Sequence, residues 1–183
     1  MIYVTKHHIA VATLLLAGCL FVQQSVSAQP FGVGVFGEDV PFGDETSVAI
    51  SLSNAIDMHL SPTGPNFEGT GAHTITVTST DVIGYDLYVN ATGSTAMSNG
   101  TDTVAASANV APGTLTANSW GYNTSGSTAN FRGITGTQVL IGSGTGPFKA
   151  GDHTTITYGA TVDMTKSSGT YGVDVTYTVI GRT

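Results

Sequence analysis

The sequence predicts an all-β protein: one antiparallel β-sandwich of about seven to nine strands, Ig-like or fimbrial-like in its Greek-key order, behind a signal peptide. Three observations carry this expectation. Apolar and polar residues alternate with a period of two in several separate stretches, which is the pattern of a half-buried strand. Gly, Ser, Thr and Asn clusters separate those stretches and supply turn chemistry. Nothing after residue 29 sustains a helical period.

The pattern is strongest at the C-terminal end. In His153–Met164, Ile156, Tyr158, Ala160, Val162 and Met164 oppose Thr155, Thr157, Gly159, Thr161 and Asp163. After Thr165–Thr170, a second run sets Tyr171, Val173, Val175, Tyr177 and Val179 against Gly172, Asp174, Thr176 and Thr178. The Lys166–Gly169 segment suits a turn, so the two runs are expected to form a long hairpin. Its one apolar face then needs a second sheet to cover it.

The N-terminal end is expected to be a leader, residues 1–28. Lys6, His7 and His8 precede an apolar run from Ile9 to Val22, too short to span a bilayer as a helix. Val26-Ser27-Ala28 fits a cleavage site, so the mature chain is expected to begin at Gln29. A rival reading takes Leu16-Ala17-Gly18-Cys19 as a lipobox with Cys19 lipidated, but Leu20, Phe21 and Val22 prolong the apolar core beyond it. Both readings imply export, secreted or at the cell surface, with no membrane span in the mature chain. Cys19 is the single cysteine, so no intramolecular disulfide and no thiol catalysis are expected.

Residues 29–45 read as an N-terminal arm or first strand, in which Phe31, Val33 and Val35 alternate with glycines. Residues 46–183 form the sandwich domain. Val48, Ile50 and Leu52 mark a strand, continued by Ile56, Met58 and Leu60 after a bend at Asn54. Ser61–Ala72 reads as a loop. His73–Ser79 and Tyr85–Val89 then read as a second hairpin. Thr92–Asp102 reads as loop, Val104–Val110 as a poor strand, Ser119–Tyr122 and Gln138–Ile141 as short strands, and Gly142–Gly151 as a glycine-rich loop.

Charged residues make up 9% of the chain and the formal net charge is −7. Phosphate binding needs clustered Lys and Arg, so the balance argues against nucleic acid or anionic lipid as a partner. His59, His73 and His153 show no metal-binding spacing and are expected at strand ends on the surface. Glu38, Asp39, Asp44 and Glu45 lack a regular calcium-loop array, and read as a solvated acidic cluster. Gly142-Ser143-Gly144-Thr145-Gly146 lacks the Lys-Ser/Thr ending of a phosphate loop, and no serine lies in a nucleophile elbow. No catalytic residue, metal site or cofactor is expected. Trp120 with Tyr122 is the candidate ligand contact, a stacking platform for a glycan, against the plainer expectation of a core or rim position. Asn90, Asn99 and Asn123 lie in N-x-S/T sequons. Lys149 and Lys166, the lysines an isopeptide cross-link would require, fall in expected loops.

Certain segments taken together resemble bacterial secreted surface β-sandwich proteins, the kind that includes fimbrial subunits without disulfides. They are Val48–Leu60 (VAISLSNAIDMHL), Gly84-Tyr85 after HTITVTST, Ser119-Trp120-Gly121-Tyr122, and Gly169-Thr170-Tyr171 before the terminal strand. The chain differs from sortase-anchored proteins in having no LPxTG-type motif. The resemblance implies a structural or adhesive role and transfers no catalytic residue. The expectation is therefore an exported, non-catalytic surface protein, structural or adhesive. In its pilus-type form, Phe31, Val33 and Val35 are the strand-donor arm for self-association or for a surface protein partner. The alternative is a secreted carbohydrate- or ligand-binding module using Trp120 and Tyr122.

Overall fold

A computed structural model describes residues 2–3, 47–80 and 82–183. The signal-peptide boundary, Cys19, the arm with Phe31, Val33 and Val35, and the acidic cluster lie outside the described residues. Within them, every helix or strand element is a strand. In chain order these are β1 (Ile2–Tyr3), β2 (Ser47–Leu52), β3 (Asp57–Met58), β4 (Ser61–Thr63), β5 (Asn66–Thr80) and β6 (Gly84–Ala91), then β7 (Met97–Ser98), β8 (Thr103–Ala106), β9 (Ser119–Asn123), β10 (Val139–Thr145), β11 (Asp152–Asp163) and β12 (Val175–Arg182).

They form three sheets. The larger main sheet runs β2-β5-β11-β9-β8-β7, with β4 also on β5. The smaller runs β10-β6-β12, and β1 makes a two-residue ladder with β3. The larger sheet is mixed rather than purely antiparallel, because β8 runs parallel to β9. Alternate residues of the two main sheets bury into one shared core: Ile75 and Val77 of β5, Tyr85, Leu87 and Val89 of β6, Trp120 and Tyr122 of β9, Ile156 and Tyr158 of β11. Each such side chain removed from water stabilises the fold by roughly 1.5–3 kcal/mol.

The expected facing of the alternating runs is seen, but the expected hairpins are not. β11 pairs with β5 and β9, whereas β12 pairs with β6. The 164–174 segment thus crosses from one sheet to the other. It buries Tyr171 and Val173 on the way and bridges Gly172 to Ser98, while Met164 stays 79% exposed. Likewise β5 and β6, consecutive in sequence, sit in different sheets. An alternating strand specifies which face turns inward, and several partners satisfy that requirement.

Other differences have local causes. Ser61–Ala72 is mostly strand: β4 and β5 form a tight hairpin turned at Gly64-Pro65, where Gly64 takes φ +61°, a value that glycine reaches without steric cost. The first part of Gly142–Gly151 is strand too, because β10 continues to Thr145 along β6, with a register shift between Leu140 and Gly142. The outer face of β11 is also covered. The Phe131 ring lies over Gly159, so close that a Cβ there would stand 2.3 Å from its Cζ. A central strand thereby becomes buried on both faces, which accounts for the burial of Thr157 and Thr161.

Candidate functional site

The geometry offers three features: sheet edges, a shallow outer groove and a polar aromatic cluster inside the core. The edges come first. Among the described residues, β2 bonds along one side only, to β5, while β10 and β12 each bond along one side only, to β6. The free side of β12 runs beside half-buried Val175, Tyr177 and Val179, with Ile180 49% exposed on the outer face. At one end Gly181 lies close under Val48 of β2, so the seam between the two main sheets narrows there.

The groove, about 220 Å³, lies where the loop before and after β9 crosses β5 and β11, with Glu68, Thr70, Thr114, Phe131 and Thr161 among its lining residues. Its lining mixes threonine hydroxyls with the apolar side chains of Leu115 and Phe131.

The candidate ligand contacts are interior. Trp120 is 0% exposed and Tyr122 1%. The Trp120 indole N–H donates to the Thr95 carbonyl at 3.0 Å, and its ring stacks near Tyr158 at 6.1 Å between centroids. Stacking on a sugar requires an open ring face, and these rings are covered. They match the plainer expectation for them, that of core residues. Tyr122 Oη and Arg132 Nε are buried without a hydrogen-bond partner among the described residues, and the Arg132 guanidinium lies 5.8 Å from the Tyr122 ring centroid.

His73 departs from the expectation of a surface position. His59 and His153 are exposed, but His73 is buried, 8% accessible, on the inward face of β5. Its Nδ1 lies 3.1 Å from the Asn54 carbonyl and its Nε2 lies 2.8 Å from Tyr177 Oη. Tyr177 Oη is in turn 2.6 Å from Tyr158 Oη. A carbonyl only accepts, so Nδ1 carries the ring proton. Nε2 is then bare and accepts from Tyr177, whose oxygen accepts from Tyr158. Burial pushes the His73 pKa down, partly opposed by the Asn54 carbonyl. Burial likewise pushes the Tyr177 and Tyr158 phenols up. A second polar tie crosses the core: Tyr85 of β6 donates to Asp152 of β11 at 2.7 Å. Burial, then the bond and charge of Asp152, push that phenol up to about 12.

The remaining candidates are placed as follows. Among the described residues no group of His, Cys, Asp and Glu converges as a metal site, and no helix is long and apolar enough to cross a membrane. The Asn123 sequon is folded into the structure, its amide donating to the carbonyls of Ser127 and Asn130 at 2.8 and 2.9 Å. Lys149 and Lys166 sit outside strands.

No family model, curated protein or solved structure matches this chain.

Proposed function

We propose that this is an exported, non-catalytic protein of the cell surface, structural or adhesive, whose domain is a β-sandwich of fimbrial-like type that assembles by strand addition. The observation that supports it is the β12 edge. It leaves backbone groups on one side without a strand partner among the described residues, next to inward side chains at alternate positions. A sheet edge of this kind receives an extended segment: main-chain bonds supply affinity and alternate pockets supply register. Phe31, Val33 and Val35 have the matching spacing. A head-to-tail contact between copies does not close on itself, so it builds a filament.

The test compares the chain from Gln29 with the same chain lacking residues 29–36, by circular dichroism, size-exclusion light scattering and negative-stain microscopy. Filaments from the longer chain and folded monomers from the shorter one are expected. A longer chain that stays monomeric at high concentration overturns assembly. If that monomer binds glycans on an array, the protein is instead a ligand-binding module, with the groove beside Phe131 replacing Trp120 and Tyr122 as the place to look.

A further inference from the structure

We propose that the His73–Tyr177–Tyr158 chain is an acid-sensitive latch between the two main sheets. His73 and Tyr158 belong to the larger sheet and Tyr177 to the smaller. The hydrogen-bond direction is fixed throughout when His73 is neutral: Tyr158 donates to Tyr177, Tyr177 to Nε2, and Nδ1 to Asn54. Every proton in the chain then has an acceptor.

Protonation of His73 breaks this order. Nε2 gains a proton and turns from acceptor to donor, so the Tyr177 oxygen must accept from it. The Tyr177 proton then has to turn toward Tyr158, whose own proton loses its acceptor inside the core. An unpaired buried donor destabilises the state that contains it. The strain falls on one of the contacts that join β12 to the larger sheet.

Among the described residues, no counter-charge faces the ring. His73 is faced by Tyr158 from β11, by Tyr177 from β12 and by the Asn54 carbonyl from the segment after β2, with Tyr122 of β9 behind Tyr158. Burial is the largest cause lowering its pKa, the Asn54 carbonyl opposes it, and no carboxylate of the described residues figures beside them. The sign follows. The folded-state pKa lies below the unfolded value of 6.5, so under that pH the unfolded chain takes up a proton that the folded chain resists. Stability therefore falls as pH drops through 6.5 toward the folded pKa, and levels off below it.

The experiment is melting temperature against pH from 8 to 5 for the chain from Gln29 and for His73→Gln, with a nitrogen-15 imidazole titration of the unmutated chain. The expected result is a fall in melting temperature below pH 6.5 that is shallower in His73→Gln, a His73 midpoint under 6.5, and the ring proton on Nδ1 at neutral pH. If His73→Gln does not fold, Tyr177→Phe carries the test: with no phenol to reorient, its His73 midpoint should rise toward 6.5. The proposal is overturned by a proton on Nε2, by a midpoint at or above 6.5, by equal pH slopes in the two proteins, or by a midpoint that Tyr177→Phe leaves in place.

Discussion

At the scale of single residues, the tyrosine pair divides its hydrogen bonds unequally. Tyr177 both accepts from Tyr158 and donates to His73, while Tyr158 only donates. Tyr177→Phe leaves two buried groups without partners, the Tyr158 hydroxyl and His73 Nε2. Tyr158→Phe leaves the Tyr177-to-His73 bond in place and costs one neutral hydrogen bond. Urea unfolding near pH 7.5 should give a loss of about 2–4 kcal/mol for the first and about 0.5–1.5 kcal/mol for the second. The double variant should lose less than the sum, since it removes one of the two orphans, the Tyr158 hydroxyl, and leaves only His73 Nε2. Equal losses in the two single variants would mean that the proton order inferred from the Asn54 carbonyl is wrong. Gly159 shows a different kind of residue constraint: its missing side chain is what lets Phe131 cover β11.

At the scale of elements, the decisive point is that β12 belongs with β6. Asn90 and Thr176 are direct partners across that ladder on its outer face, at a spacing that antiparallel pairs share with disulfides. Asn90→Cys with Thr176→Cys should therefore oxidise readily in a chain beginning at Gln29, which has no other thiol. The bond closes a long loop and should stabilise by about 3–4 kcal/mol, seen as a rise in the urea midpoint over the reduced form. Thr155→Cys with Ile180→Cys, opposite each other in a simple β11–β12 hairpin, should keep both thiols free in a thiol-titration assay. The reverse outcome would restore the hairpin. The same placement of β12 at a sheet end gives the strand-addition proposal its receiving edge.

At the scale of the whole molecule, acid acts through two separate windows. His73 weakens the fold from pH 6.5 downward. Asp102 and Asp163 act later: hydrogen bonds from Ser167 and from Thr165, respectively, hold their carboxyls below the usual value of 3.8. A carboxylate with a lowered pKa contributes stability above its unfolded pKa and loses it as pH falls through the folded one. Melting temperature should thus fall in two steps, one that begins as pH drops through 6.5 and a later one below about pH 4. Only the first should disappear in His73→Gln. A single step near pH 4 in the unmutated chain would remove His73 from the account. The isoelectric point of the full sequence is about 4.8, where charge repulsion between copies is least and light scattering should peak.

The sequence by itself determined which face of most strands turns inward. Ile75, Val77, Leu87, Val89, Ile156 and Tyr158 are buried as their alternation requires, because a period of two is written into each strand without reference to its neighbours. It also marked Val48–Leu52 and Ser119–Tyr122 as strands. Partnership was decided only by the tertiary structure. Whether β11 lies beside β12 or beside β5 depends on contacts far apart in sequence, and alternation is equally satisfied by both. The polar interior was hidden for the same reason. His73 looks like a strand-end surface residue until Tyr177, over a hundred positions later, closes over it from the other sheet. For Trp120 and Tyr122 the sequence allowed both a platform and a core or rim position, and the tertiary structure buries them. Periodicity gives direction along one strand, while burial and hydrogen bonding of a polar group depend on what the rest of the chain brings to it.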